Sequence, residues 1–248
     1  MSTAKQDIIQ ELRRDLMLLQ GFKPPTAETI DPGLGPVTAA FPHGVFPTGA
    51  IHEFLSTGPE NAAASGGFAA GLAASLMARG GACVWMSCGR KVFPPALKAF
   101  GIEPDQLIFV DLKKEKQALW AMEEALKCEG LAAVVGELRE ISFTASRRLQ
   151  LAVEHSRVTG LLLRQDPRQL NPIACVARWR ITPLPSEPGA NMPGLGFPRW
   201  NVELSKVRNG RPGIWQMEWS AGRFHPLELL MPALQHDEFS GEHQRKTG

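Results

Sequence analysis

The sequence lacks several features that would place it in a special class of protein. No stretch of eighteen apolar residues is present, which argues against a membrane-spanning helix. The N-terminus mixes charged and apolar residues in helical order and has no signal-peptide pattern. Tyrosine is absent, an absence with no evident structural consequence, and 12 phenylalanines and 6 tryptophans supply the aromatic side chains. These absences predict a cytoplasmic protein that does not contact a membrane.

The sequence also lacks paired cysteine motifs and a large net charge. The four cysteines have neither CxxC spacing nor neighbouring histidines, which predicts reduced thiols and no metal site. The net charge is only +2, so any binding of nucleic acid would have to come from a local basic patch. A chain of 248 residues with 44% hydrophobic residues is long enough for one large domain with a full apolar core.

Apolar runs alternate with helical patterns through the middle of the chain, which predicts an α/β fold. Unbroken apolar strands separated by helices are typical of a mostly parallel central sheet flanked by helices on both faces. The predicted strands are Ala50–Leu55, Ala82–Ser87, Leu107–Val110, Leu131–Val135 and Gly160–Leu163. The predicted helices are Ser65–Arg79, Phe93–Phe100, Glu115–Lys127 and Ser142–His155.

Beyond Asp166 the helices stop, and three strand-like runs follow one another. The last two are separated by Asn209-Gly210, a dipeptide that favours tight hairpin turns. These runs predict an antiparallel hairpin at one edge of the sheet. They are Ile173–Ile181, Trp200–Val207 and Gly213–Trp219.

The N-terminal residues form an amphipathic helical pattern that a Pro/Gly-rich stretch, Gly21–Phe46, separates from the rest. We therefore expect an N-terminal helical arm and linker (1–46), a core domain (47–235) and a disordered polar tail (236–248). The arm either docks on another subunit or partner, allowing self-association, or folds back on its own domain. Its apolar stripe consists of Ile8, Ile9, Leu12, Leu16 and Leu19.

Residues 47–78 have the strand–loop–helix setting of a phosphate loop without its chemistry. In the pattern G-x-x-x-x-G-K-[ST] counted from Gly58, Ala63 replaces the glycine, Ala64 replaces the lysine, and only the hydroxyl of Ser65 remains. Without the lysine the main phosphate clamp is lost, so we expect no cofactor beyond weak residual nucleotide binding at the helix N-terminus. The degenerate phosphate loop comprises Gly58, Pro59, Glu60, Ala63, Ala64 and Ser65.

The order of these pieces resembles the core of the RecA recombinase family over about residues 45–220. The resemblance rests on several short phrases in the right order, with no one of them decisive. It implies a RecA-like core. The matching phrases are Gly49–Phe54, Gly58–Glu60, Leu97–Ile102 followed by Asp105–Leu107, Gln117–Leu119 followed by Ala125-Leu126, and the hairpin Val202–Trp219.

Within that superfamily the chain is similar to the ImuA proteins, through the phrase Phe46–Glu53 and the ending Arg211–Trp219. This resemblance implies accessory work in SOS-induced, error-prone DNA repair, that is, translesion synthesis. The implied partners are a Y-family polymerase-like protein, an error-prone DNA polymerase and RecA, with single-stranded DNA as a further candidate. SulA-like division inhibitors share the reduced fold, so binding of a cytoskeletal GTPase stays an alternative.

Compared with RecA proteins, the chain departs at further catalytic positions. The carboxylate expected after the second strand falls in Ser87-Cys88-Gly89, which offers no general base. The Walker-B-like strand ends at Gly136-Glu137, where either Glu137 holds Mg²⁺ through water or Gly136 occupies the metal position. The resemblance thus implies a pseudo-ATPase with no catalytic residue. An atypical DNA-dependent ATPase that recruits Lys91 or Lys113 is the remaining alternative.

The window from 139 to 180 is rich in arginine. Because the planar guanidinium binds two phosphate oxygens at once, this window is a candidate surface for DNA or for an acidic partner. Four tryptophans in the hairpin region (Trp179, Trp200, Trp215 and Trp219) predict core or interface packing more than base stacking. The candidate contact residues are Arg139, Arg147, Arg148, Arg164, Arg168, Arg178 and Arg180.

Overall fold

A computed structural model describes residues 30–89, 92–187 and 196–227. The described part contains one nine-stranded sheet and three α-helices, joined by short 3-10 helices. The helices are α1 (Gly58–Met77), α2 (Glu115–Ala125) and α3 (Phe143–Ser156). The strands are β1 (Ile51–Ser56), β2 (Ala82–Ser87), β3 (Leu107–Asp111), β4 (Leu131–Leu138), β5 (Thr159–Gln165), β6 (Ala177–Leu184), β7 (Arg199–Val207), β8 (Gly213–Ser220) and β9 (Arg223–Pro226).

The strand order is β3-β2-β4-β5-β1-β6-β7-β8-β9. All pairs from β3 to β6 are parallel, and β6 to β9 pair antiparallel. The expected mostly parallel sheet with an antiparallel edge is confirmed. Strand β1 lies in the middle of the order and is buried along its whole length, as an unbroken apolar run predicts.

Helix α1 packs on one face of the sheet, and α2 and α3 pack on the other. Small residues let α1 approach closely, since a Cβ on Gly71 would lie 2.8 Å from the rings of both Trp219 and Phe224. Trp179, Trp200 and Trp219 are buried in this layer, which confirms the expectation of core packing for these three.

One buried histidine shows how tightly the α1 face is packed. The His52 ring stacks on Phe46 with centroids 4.4 Å apart, and its Nε2 lies 2.7 Å from the Pro47 carbonyl oxygen. Trp179 Nε1 donates to Nδ1 of the same ring over 3.3 Å. Burial lowers the pKa of His52 from 6.5 to about 4, against the opposing effect of the Pro47 hydrogen bond. The ring is therefore a neutral part of the core at physiological pH.

The expectation that Gly21–Phe46 is an unpacked linker is wrong for its described part. Residues 30–46 contain the 3-10 helices Gly35–Ala40 and Pro42–Gly44, and Leu34, Val37 and Phe46 are buried in the α1-side core. The apolar residues of this stretch cover the core beside β8 and β9. The N-terminal arm and the 236–248 tail lie outside the described residues.

Three smaller differences concern element boundaries. The predicted helix Phe93–Phe100 is a 3-10 helix that spans Pro94–Phe100. Strand β9 was not predicted, and α1 begins seven residues before the predicted start at Ser65. Among the described residues, none of the helices is long and apolar enough to span a membrane.

Candidate functional site

A cleft of about 620 Å³ opens at the carboxyl ends of the central strands, between α1 and the 3-10 helix Pro94–Phe100. This edge is where α/β sheets of this kind place their ligands. Most of the lining is apolar, including Ala63, Leu97 and Phe100, and the polar end carries Glu137 and Asp166. The cleft occupies the position expected of a nucleotide site, but most of the side chains that line it are apolar.

The start of α1 is held by a carboxylate from the same chain. Gly58 has φ +76, a conformation that glycine adopts without strain, and its N–H donates to Asp166 Oδ1 over 2.9 Å. Asp166 follows β5 directly, and its own N–H donates to the Ser56 carbonyl oxygen. A negative charge at a helix N-terminus is favourable because the first N–H groups and the helix dipole point toward it. The N-terminus of α1 thus holds an aspartate side chain as its anion.

The segment predicted as a degenerate phosphate loop is not a loop, which corrects that prediction. Helix α1 begins at Gly58 with Pro59 in its first turn, a position that proline favours. The N–H groups of Ala63, Ala64 and Ser65 therefore lie inside the helix and donate to carbonyls four residues earlier. They are not available to cradle a phosphate. Ala64 is only 6% exposed, and the buried Ser65 Oγ has no hydrogen-bond partner among the described residues.

The two residues of the Walker-B-like position, Gly136 and Glu137, face opposite sides of the sheet. A Cβ on Gly136 would meet Met122 Sδ at 2.5 Å, so this residue faces α2, away from the cleft. Glu137 faces the cleft instead, and its two carboxylate oxygens accept hydrogen bonds from Trp85 Nε1 (2.8 Å) and Ser87 Oγ (2.9 Å). Both acceptor oxygens are therefore engaged by the protein, with Ser87 standing at the strand end where a catalytic carboxylate was expected.

A second cavity of about 300 Å³ adjoins this end of the cleft and shares Glu137 and Asp166 with it. Cys88 lines it, and burial raises the pKa of its thiol, with smaller contributions from the negative charges of Glu115 and Glu137. A thiol with a raised pKa is a poor nucleophile and a poor metal ligand. Within the described ranges, no group of three or more histidine, cysteine or acidic side chains could hold a metal ion.

Two of the arginines predicted to contact DNA are used inside the protein. Arg164 is 0% exposed and its Nη1 lies 2.7 Å from Glu53 Oε1, while Arg178 Nε lies 2.6 Å from the other oxygen of Glu53. The prediction of a DNA or partner contact is wrong for Arg164, which is fully buried, whereas the Arg178 side chain is paired with Glu53 and stays 18% exposed. Cys175 Sγ also donates to Glu53, and burial together with this carboxylate raises the pKa of the thiol to about 12.

The other predicted arginines reach the surface but are not equivalent. Arg148 is paired with Glu123, and Arg180 is paired with Glu203 on the neighbouring strand β7. Of the remaining three, two lie in the loops that follow β4 and β5, and the third lies in the second turn of α3. They are Arg139, Arg147 and Arg168, all exposed.

Sequence reasoning missed the two acidic residues that organise this end of the molecule, Asp166 and Glu53. Glu53 could have been noticed, since one carboxylate inside the buried apolar strand β1 requires a buried cation as partner. The partner, Arg164, lies 111 residues away and was assigned to the surface. For Asp166, the available signal was its position immediately after a buried strand, at the sheet edge where ligand-binding groups collect.

Comparison with known proteins agrees with the fold and identifies the family. No protein-family model matches this chain. The crystal structure of the RadB recombinase superimposes with a TM-score of 0.58 at 13% sequence identity, covering 81% of this chain and all of that one, which shows a RecA-like fold. Protein ImuA from two strains of Caulobacter vibrioides is 37% identical over 226 residues, which span 86% of this chain and 93% of the relative. At that identity and coverage, this chain belongs to the ImuA family.

Proposed function

We propose that this protein is a non-catalytic accessory factor of RecA-like fold in DNA-damage-induced mutagenesis. The process that we propose is error-prone repair by translesion synthesis under SOS control, and membership of the ImuA family supports it. The mode of action that we propose is binding without ATP hydrolysis, and the helical conformation of the segment from Gly58 to Ser65 supports it.

The observation that carries the proposal is the start of α1. Hydrolysis by this fold needs backbone N–H groups around the phosphates, a lysine on the terminal phosphates and a carboxylate that orients water. Here the N–H groups belong to a helix, Ala64 is buried where the lysine would be, and Asp166 lies at the N-terminus of α1. Glu137 has both oxygens engaged. These separate features support the proposal that the protein binds without hydrolysing ATP.

An accessory protein without turnover acts through the free energy of binding to its partners. By family resemblance these are a Y-family polymerase-like protein, an error-prone DNA polymerase and RecA, and single-stranded DNA is a further candidate. The protein would bridge two of them, so that a polymerase reaches damaged template. The N-terminal arm could add self-association.

Steady-state ATP turnover by the purified full chain, with and without single-stranded DNA, tests the non-catalytic part. We expect no turnover above a blank. A RecA preparation assayed in parallel is the positive control that shows that the assay detects DNA-dependent ATP hydrolysis. Turnover that rises with DNA would refute the proposal and identify a divergent DNA-dependent motor.

A deletion strain tests the biological part. We expect mutation frequency after ultraviolet damage to fall in the deletion strain and to return when the natural gene is supplied. Overexpression of the protein distinguishes a mutagenesis factor from the alternative, a SulA-like division inhibitor. Filamentous cells together with an unchanged mutation frequency would favour that inhibitor and contradict a mutagenesis role.

A further inference from the structure

We infer that one face of the protein is a docking site for an acidic peptide segment of a partner, anchored by apolar side chains. This face, here called the loop face, consists of residues 139–143 after β4, residues 166–172 after β5, and the first turns of α3. The inference deepens the proposed bridging function and depends on it for biological meaning, although the binding itself can be tested separately.

Buried ion pairs fix the two loops against each other. Arg164, held by Glu53, donates from Nε to the Arg139 carbonyl oxygen (3.3 Å) and from Nη2 to the Gln169 carbonyl oxygen (3.2 Å). Arg178, held by the same carboxylate, is 3.4 Å from the Asn171 carbonyl oxygen. One buried cluster therefore positions both loops, so that a partner meets a preorganised surface and loses less entropy on binding.

Three further hydrogen bonds join the loops along their length. The Arg168 N–H donates to Glu140 Oε1 (2.6 Å), and Arg139 Nε donates to the Asp166 carbonyl oxygen (3.0 Å). The Ala174 N–H donates to the hydroxyl of Ser146, in the first turns of α3 (2.9 Å). The loop after β5 thus lies beside the loop after β4 and the start of α3 as one continuous face.

The exposed chemistry of the loop face is cationic and apolar. Phe143 is 55% exposed and Leu170 is 61% exposed. Arg147 lies one helical turn beyond Phe143, and neither it nor Arg168 has a carboxylate partner for its side chain within the described residues. The acidic groups of this face are engaged internally, since Glu140 contacts Arg164 and the Arg168 N–H, and Asp166 accepts from the Gly58 N–H. Exposed apolar side chains on the same face as arginines without a described carboxylate partner have the composition of an interaction surface.

Composition favours a protein partner over single-stranded DNA. No lysine occurs between residues 128 and 205, although phosphate-binding surfaces use lysine and arginine alike. Protein interfaces are enriched in arginine and aromatic residues and depleted in lysine. Internal pairing has also removed Arg164 from the surface, and Phe143 is the single aromatic residue of the loop face. An acidic segment with a leucine or phenylalanine side chain matches the charge and the apolar contacts together.

The test uses the purified full chain and arrays of short overlapping synthetic peptides. The peptides cover the polymerase-like protein, the error-prone polymerase and the recombinase of the same organism. We expect the bound peptides to be acidic with at least one large apolar residue. Binding should fall at least about tenfold for Arg147→Glu with Arg168→Glu, and for Phe143→Ala with Leu170→Ala. The control is Arg223→Glu with Ile214→Ala, two exposed positions on strands β9 and β8 at the antiparallel edge of the sheet, away from the loop face.

Fluorescence anisotropy with a labelled oligothymidine strand forms the second arm. The inference is wrong if no peptide binds, if the bound peptides are not acidic, or if the loop-face variants bind them as well as the control does. It is also wrong if those variants lose DNA binding and keep peptide binding, since the face is then a nucleic-acid site. A deletion strain with normal damage-induced mutation would overturn the proposed function while leaving peptide binding intact, so the two failures are distinguishable.

Discussion

Replacing Ala64 by lysine restores the residue that a phosphate loop requires, yet the structure predicts damage and no activity. Ala64 is 6% exposed and belongs to the core between α1 and the sheet. Adding a long side chain to a packed core costs about 1–3 kcal/mol, and partial burial of its ammonium group adds to that cost. We expect the free energy of unfolding to fall by about 3 kcal/mol, which corresponds to a Tm lowered by about 6–12 °C in a chain of this size.

Ala63→Lys is the matched control, because the neighbouring position is exposed on the same helix and alanine and lysine are both good helix formers. Its stability should stay within about 0.5 kcal/mol of the natural protein. Denaturant unfolding followed by circular dichroism measures both variants, and ATP turnover is assayed beside it. An Ala64→Lys protein that is as stable as the control and hydrolyses ATP would refute the assignment of this segment to a helix.

Three more changes follow from the site and the core. Glu53→Gln removes the nearer and fully buried counter-charge of Arg164 and should cost about 3–5 kcal/mol. Glu203→Gln, in a more exposed pair, should cost less than about 1 kcal/mol, and equal losses in urea unfolding would contradict the buried cluster. Asp166→Asn keeps a residue that tolerates the positive φ of 45 but removes the negative charge at the start of α1. The free energy of unfolding should therefore fall by about 0.5 kcal/mol at low salt, and by less at high salt, where the charge is screened. Because the folded-state pKa of His52 is depressed to about 4, the unfolded chain binds the proton first, and stability should decrease by about 3 kcal/mol as pH falls from 6.5 to 4. His52→Gln should flatten that pH profile while His155→Gln, at an exposed site, should leave it unchanged.

The sheet was predictable because its strands are apolar runs of strand length, separated by segments of helical periodicity. Ala82–Ser87 is observed as predicted, and Ser142 is the N-cap of α3, where its hydroxyl accepts from the Ala145 N–H. These signals are local, so the sequence contains them in full.

The start of α1 was missed because the motif pattern was given more weight than local helix signals. Thr57 precedes a first turn that contains Pro59 and Glu60, and this combination favours a helix beginning at Gly58. Recognising a phosphate loop from Gly58 placed the helix start at Ser65 instead. A motif that has lost its ligand-binding residues no longer constrains the backbone to form the loop.

Two features could not be predicted from local sequence: the burial of a charged side chain, and the burial of the segment that precedes β1. Arg164 has the same local appearance as an exposed arginine, and only its pairing with Glu53 across the sheet shows its role. The Pro/Gly composition of residues 30–46 is typical of a linker, although Leu34 and Val37 fill a gap beside β8 and β9. In both cases the deciding partner is distant along the chain.

The carboxylate of Asp166 makes the anion at the start of α1 a covalent part of the protein. In a nucleotide-binding fold, a ligand stabilises the folded state according to its free concentration, so the fold responds to the supply of nucleotide in the cell. An attached group instead acts at a fixed effective concentration that dilution and metabolism do not change. We therefore expect the amount of active protein to follow its synthesis and degradation, independently of the cell's energy charge.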